Sequence, residues 1–124
     1  MKVEAEARGV HNVVRLKGTI SLGEPTQALS QTLGRLEKER TGMVVVDLTF
    51  VKSLDSTALG LLVGSLRRLR GSSRDLILAG PNESVSLLLS MTQLDTIFVI
   101  HRTVPEAMQA LQAPSGAAGG VSKP

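Results

Sequence analysis

The stretch from residue 43 to 70, MVVVDLTFVKSLDSTALGLLVGSLRRLR, restricts the fold more than any other part of the chain. It opens on an apolar run over 43–48, broken only by Asp47 and rich in β-branched Val44, Val45 and Val46. Such a run suits a short strand covered on both faces. Phe50 and Val51 follow as plugs of a loop over the core. From Ser56 to Arg70 the spacing changes: Leu59, Leu62, Val63, Leu66 and Leu69 recur along one stripe, the mark of an amphipathic helix. Gly71-Ser72-Ser73 ends it.

The rest of the chain repeats this alternation. Residues 2–7 form a weakly alternating edge strand, and a second strand ends at Gly18-Thr19-Ile20. Gly9, or the turn candidate Asn12 with His11, joins the two. Glu24-Pro25 starts a helix, since proline fits the first helical position. Ala28, Leu29, Leu33 and Leu36 form its apolar face, and Thr41-Gly42 stops it with a left-handed cap. Residues 75–80 read as a strand, with Asn82 capping a helix that packs Val85, Leu88, Leu89 and Met91 inward. A last strand over 97–100 and a helix over 104–112 complete an α/β domain of 1–112. Helix and strand alternating in this way imply parallel neighbours joined by right-handed crossovers. Residues 113–124, APSGAAGGVSKP, are too poor in apolar side chains to offset ordering entropy and read as a disordered tail.

Composition excludes several functions. The chain has 124 residues and no cysteine, so disulfides, CxxC redox pairs and thiolate metal sites are ruled out. Net charge is only +3, and the two aromatics are Phe50 and Phe98, a poor basis for stacking nucleic-acid bases, so no direct nucleic-acid contact is expected. The N-terminal segment lacks an apolar signal core and nothing is long and apolar enough to insert in a membrane, so a cytoplasmic protein is expected. Neither a phosphate-binding loop nor a nucleophile elbow is present. His11 and His101 have no acidic or histidine partner at ligand spacing, and Asp47, Asp75 and Asp95 read as strand-edge or turn caps. No enzyme activity, metal or cofactor is expected.

Asp55-Ser56-Thr57 stands apart. All three residue types accept hydrogen bonds from the orphan N–H groups of a helix start, so a cap worth about 1 kcal/mol explains them at the simplest level. Ser56, Gly60, Val63, Gly64 and Arg67 also fall on or beside one line of the helix, flanked by Thr57 and Leu61. Each interior glycine costs about 1 kcal/mol against alanine. Either the glycines serve close internal packing, or they flatten an exposed track that a partner can approach. A phosphate on Ser56 would sit at the positive helix end and add about −1.5 to −2 charges beside Asp55.

The order strand, Asp-Ser-Thr, helix, then LILAGPNESVSLLLSMTQLDTIFVI resembles the STAS domain, and in particular the bacterial anti-sigma factor antagonists, over residues 3–112. The resemblance implies a mixed sheet of four to five strands, an initial antiparallel hairpin, and about four helices mainly on one face. It implies phosphorylation of Ser56, with Thr57 a possible second site. The kinase would be an anti-sigma factor that is itself a serine kinase, and a serine phosphatase would reset the switch. Asp55, Ser56, Thr57, Gly60, Leu61, Gly64, Arg67 and Ser21 would form the partner surface. Ser21 and Ala58 stand where the family often has an acidic residue and a glycine. A second role implied by the same resemblance is a non-switching subunit of a stress-sensing scaffold or lipid-transport complex.

Overall fold

A computed structural model of the chain describes residues 2–20, 24–39 and 42–112. Ser21, Thr41 and the expected tail over 113–124 lie outside the described residues. Five strands and four helices run in the order β1 (Lys2–Arg8), β2 (His11–Ile20), α1 (Glu24–Glu37), β3 (Val44–Leu54), α2 (Ser56–Arg70), β4 (Leu76–Ala79), α3 (Glu83–Met91), β5 (Val99–His101) and α4 (Val104–Gln112). A 3₁₀ turn at Leu94–Thr96 precedes β5.

The sheet order is β1-β2-β3-β4-β5, with β1 antiparallel to β2 and the remaining pairs parallel. Each parallel step moves the chain one strand in the same direction. Crossovers of one hand must then place α1, α2 and α3 on the same face. The core divides accordingly. Val14, Leu16, Val44, Val46, Leu48, Leu76 and Leu78 meet leucines of these three helices, while alternate residues Val13, Val45, Ile77 and Ala79 meet Val104, Ala107 and Met108 of α4. The expected α/β fold, a mixed sheet with helices mainly on one face, is the one observed.

Several local expectations change. Gly9, at φ +65°, makes the β1–β2 turn in a two-residue loop between the paired Arg8 and His11. Asn12 is instead buried in β2, where its Nδ2 donates to Glu39 Oε1 at 3.0 Å. Gly42 does adopt φ +94°, but α1 has already ended at Glu37, so Gly42 is not its cap. A Cβ there would collide with the Val10 carbonyl, so close approach of two backbones selects the glycine. Phe50 is no plug over the core: it lies in β3 with 56% of its surface exposed, while its neighbour Val51 is buried. Met91 is likewise not packed inward but 72% exposed. Ile97 falls outside the last strand, which begins at Val99.

The C-terminal end of α1 is closed by a residue distant in sequence. Arg74 is buried, and its guanidinium donates to four carbonyls: Gly42 at 2.7 Å, Glu39 at 2.6 Å, Leu36 at 3.1 Å and Glu37 at 3.3 Å. Carbonyls at a helix end have no intrahelical donors, and a planar five-donor group serves several at once.

Candidate functional site

The length of β3 positions the site. Its first four residues pair with β4 up to Asp47↔Ala79, but the strand continues to Leu54 against β2 alone. Register shifts between Arg15 and Lys17 and between Gly18 and Thr19 let β2 follow it, and Ile20 pairs with Leu54. The chain therefore leaves the sheet beyond the end of β4 and turns directly into α2.

Asp55 caps that helix. Its backbone is extended, at φ −96° and ψ 178°, and its Oδ1 accepts from the Ala58 N–H at 2.9 Å. The sequence left open which of Asp55, Ser56 and Thr57 performs the capping; the structure assigns it to Asp55. Ser56 becomes the first helical residue, and both Ser56 and Thr57 are exposed. Ala58 is fully buried, so its methyl group is part of the core.

The face running from Ser56 is uneven. Gly60 is exposed, and a Cβ on it would meet nothing within 4 Å, so internal packing does not explain this glycine. Gly64 differs. A Cβ there would lie 3.3 Å from Arg68 Nη1, because the Arg68 side chain passes over it to reach Glu37. Leu61 and Val63 are partly buried and pack against the core. Arg67 is exposed in the last turn, about 16 Å along the axis from Ser56. Ser56, Thr57, Gly60 and Arg67 thus share an exposed face, with Leu61 and Gly64 at its margin.

Asn82 caps α3 as its sequence position predicts, accepting from the Val85 N–H at 2.7 Å through Oδ1. Its Nδ2 also donates to the Val51 carbonyl at 3.0 Å and reaches the Lys52 carbonyl at 3.4 Å. One side chain therefore ties the start of α3 to the part of β3 that delivers Ser56. The sequence signal for this second role is slight, since a cap asparagine and a bridging one look alike.

Asp47 and Asp75 hold local backbone, as expected. Asp47 Oδ1 accepts from the Thr49 N–H at 3.0 Å and Oδ2 from Arg15 Nε at 3.2 Å, while Asp75 Oδ1 accepts from the Leu76 N–H at 2.8 Å. Among the described residues no group of three or more His, Cys, Asp or Glu could hold a metal ion, and no helix is long and apolar enough to cross a membrane.

A five-stranded mixed sheet, an opening hairpin and an exposed serine behind a helix-capping aspartate define a class. The chain belongs to the STAS domain family, whose pattern matches residues 2–107. It is 40% identical over 65 residues to a Thermotoga maritima protein provisionally named an anti-sigma factor antagonist, covering 52% of this chain and 58% of that protein. The chain thus spans under three-fifths of the length of that relative. It is 33% identical over 73 residues to the anti-sigma-B factor antagonist of Staphylococcus epidermidis, covering 59% of this chain and 68% of that one. The crystal structure of an anti-sigma factor antagonist from Mycobacterium paratuberculosis superposes with a TM-score of 0.80 at 24% identity, over 90% of this chain and 93% of that one, a likeness of fold.

Proposed function

We propose that this chain is an anti-sigma factor antagonist whose binding is switched by phosphorylation at Ser56, and so regulates transcription through a sigma factor. The observation that carries the reading is the division of labour at the start of α2. Asp55 performs the capping, so the Ser56 hydroxyl stands exposed and can be modified without removing the cap.

The partner is an anti-sigma factor with serine kinase activity. In the unphosphorylated state it docks on the face formed by Asp55, Ser56, Thr57, Gly60, Leu61, Gly64 and Arg67, with Ser21 following the end of β2, and the sigma factor is freed. In the modified state the γ-phosphoryl of ATP has moved to Ser56 Oγ, ADP has left, and the hydroxyl proton has passed to a base on the kinase. The helix N-terminus tolerates the anion, so the domain stays folded. A docked partner does not tolerate it, because about −1.5 to −2 charges must be desolvated beside Asp55. A serine phosphatase restores the hydroxyl. The names of the 40% and 33% identical relatives support the class of function.

The test is intact-mass spectrometry after incubation with ATP and an anti-sigma factor kinase from the same organism. One phosphate is added to the wild type and none to Ser56→Ala. Ser56→Ala still binds the partner, whereas Ser56→Asp binds at least tenfold more weakly, about 1.4 kcal/mol. Equal affinity of all three proteins removes the switch.

A further inference from the structure

Past the end of β4, one extra residue sets the path of β3. Gly18 pairs with Val51 and Thr19 with Ser53, so Lys52 is left between them as a β-bulge. The consequence shows in burial. Val51 and Leu54 stand three residues apart and both are buried, whereas strict alternation would turn one of them to solvent. The bulge resets the phase and returns Leu54 to the core it shares with Val85 and Leu89 of α3. It thereby sets the rotation at which the chain enters Asp55 and α2. A bulge interrupts the ladder at its extra residue, and on the far edge β4 has already ended at Ala79. The Asn82 amide occupies that edge. Its Oδ1 is committed to the Val85 N–H, which turns Nδ2 toward β3, to the Val51 carbonyl at 3.0 Å and the Lys52 carbonyl at 3.4 Å.

We infer that Asn82 is a positioning residue for the Ser56 hydroxyl: it pins the Lys52 bulge, and the pinned bulge sets where Ser56 stands. The inference rests on the proposed modification of Ser56 and names a residue outside α2 that governs its presentation. Asp55 and Asn82 divide the task. The Asp55 cap ties the first turn of α2 to its own helix, through the Ala58 N–H. Asn82 ties the strand that delivers this turn to α3, and so to the rest of the domain. Ser56 follows Lys52 by only four residues, so slack at the bulge passes directly to the hydroxyl. Phosphoryl transfer brings the attacking oxygen roughly into line with the leaving group, and a misplacement of about 1 Å can slow a step on the order of 10²-fold. The two roles of Asn82 can be separated by substitution. Asn82→Ser keeps an oxygen that caps as well as asparagine does, adds no charge, and loses the amide that reaches β3.

The experiment compares full-length wild type and Asn82→Ser by hydrogen exchange and by steady-state phosphorylation with ATP and the same kinase. Amides over 50–56 are expected to exchange about fivefold faster in the variant, the effect of one lost hydrogen bond, while those over 62–70 keep their wild-type rates and show that α2 is folded. The kcat of phosphorylation is expected to fall at least about fivefold with KM within about twofold, because the kinase still binds but meets a misplaced hydroxyl. Unchanged exchange over 50–56 overturns the inference, as does quickened exchange with an unchanged kcat, or a change in KM alone. Asn82→Asp also keeps the cap and replaces the donor with a second acceptor; it is expected to show the same pattern, and decides the matter if the serine variant exchanges faster throughout. Wild type that takes up no phosphate sinks the Ser56 reading and the positioning role with it. Wild type that takes it up at the same kcat as both variants sinks the positioning role alone.

Discussion

The two ends of α2 are held in opposite ways. At its C-terminal end Arg68 reaches across to Glu37 of α1, with Nε at 2.6 Å and Nη2 at 3.2 Å from the two carboxylate oxygens. Arg70 bonds Asp75 at 3.0 Å and the Ile97 carbonyl at 2.7 Å, and Arg74 follows with its four carbonyls. These ties span 31 residues for Arg68 and 38 for the longest from Arg74. At the N-terminal end, the cap from Asp55 reaches only three residues ahead, and Ser56, Thr57 and Gly60 face outward. The cations also complement the helix dipole at the tied end. The contrast shows how one helix can be anchored through long-range side-chain ties at its C-terminal end while its first turn presents exposed polar side chains.

Breaking the tied end should have the largest effect. Arg74→Ala leaves a cluster of helix-end carbonyls without their donor and removes a buried guanidinium. The expected loss is about 3 kcal/mol, read as a fall in the urea midpoint. Arg74→Lys should recover little, since one ammonium cannot span carbonyls that the guanidinium meets as a fork. A loss below about 1 kcal/mol would mean that water replaces the arginine and that the tied end is held elsewhere.

The bare end should respond with the opposite sign. Gly60→Ala puts a methyl group into open space on a helix, so it should stabilise the fold by up to about 1 kcal/mol in a thermal melt. The same methyl group should weaken partner binding if a partner backbone approaches this face. Gly64→Ala should gain less stability, because its Cβ presses on the Arg68 guanidinium at 3.3 Å. Tighter binding of Gly60→Ala to the kinase would show that the exposed face is not read.

The difference between the ends also explains what the sequence disclosed. The bounds of α2 and α4 and the Asn82 cap follow from periodicity and local chemistry, all of which operate within a few residues. Arg74 does not, because its carbonyls lie more than 30 residues away and no local pattern separates a clamping arginine from a solvated one. The same holds for β3. Its apolar run ends at Leu48, but pairing with β2 carries the strand on to Leu54 through residues whose own pattern suggested a loop. Met91 faces solvent because Val85 and Leu89 already fill the core, which helical spacing alone does not disclose. At the candidate site the motif was legible from Asp-Ser-Thr, whereas the choice of Asp55 as the cap required the geometry of the backbone turn.

The smallest expected effect tests whether the Glu37–Arg68 tie contributes to stability. Burial pushes the Glu37 carboxyl up, but hydrogen bonding from Arg68 and Ser65 and the nearby Arg68 and Arg74 charges outweigh it, and the group is held below its usual 4.5. A carboxyl depressed in the folded state stabilises the protein above its unfolded value. That contribution is lost as pH falls below 4.5 and through the folded value. Arg68 is well exposed, so Arg68→Ala should cost under about 1 kcal/mol at neutral pH. The gap between variant and wild type should close in acid, where a protonated Glu37 no longer distinguishes them. Urea midpoints at neutral and acid pH measure it. A gap that persists unchanged in acid would show that Arg68 does not stabilise the fold through the Glu37 charge, and the tied end of α2 would then owe its hold to the buried clamp rather than to the ion pair above it.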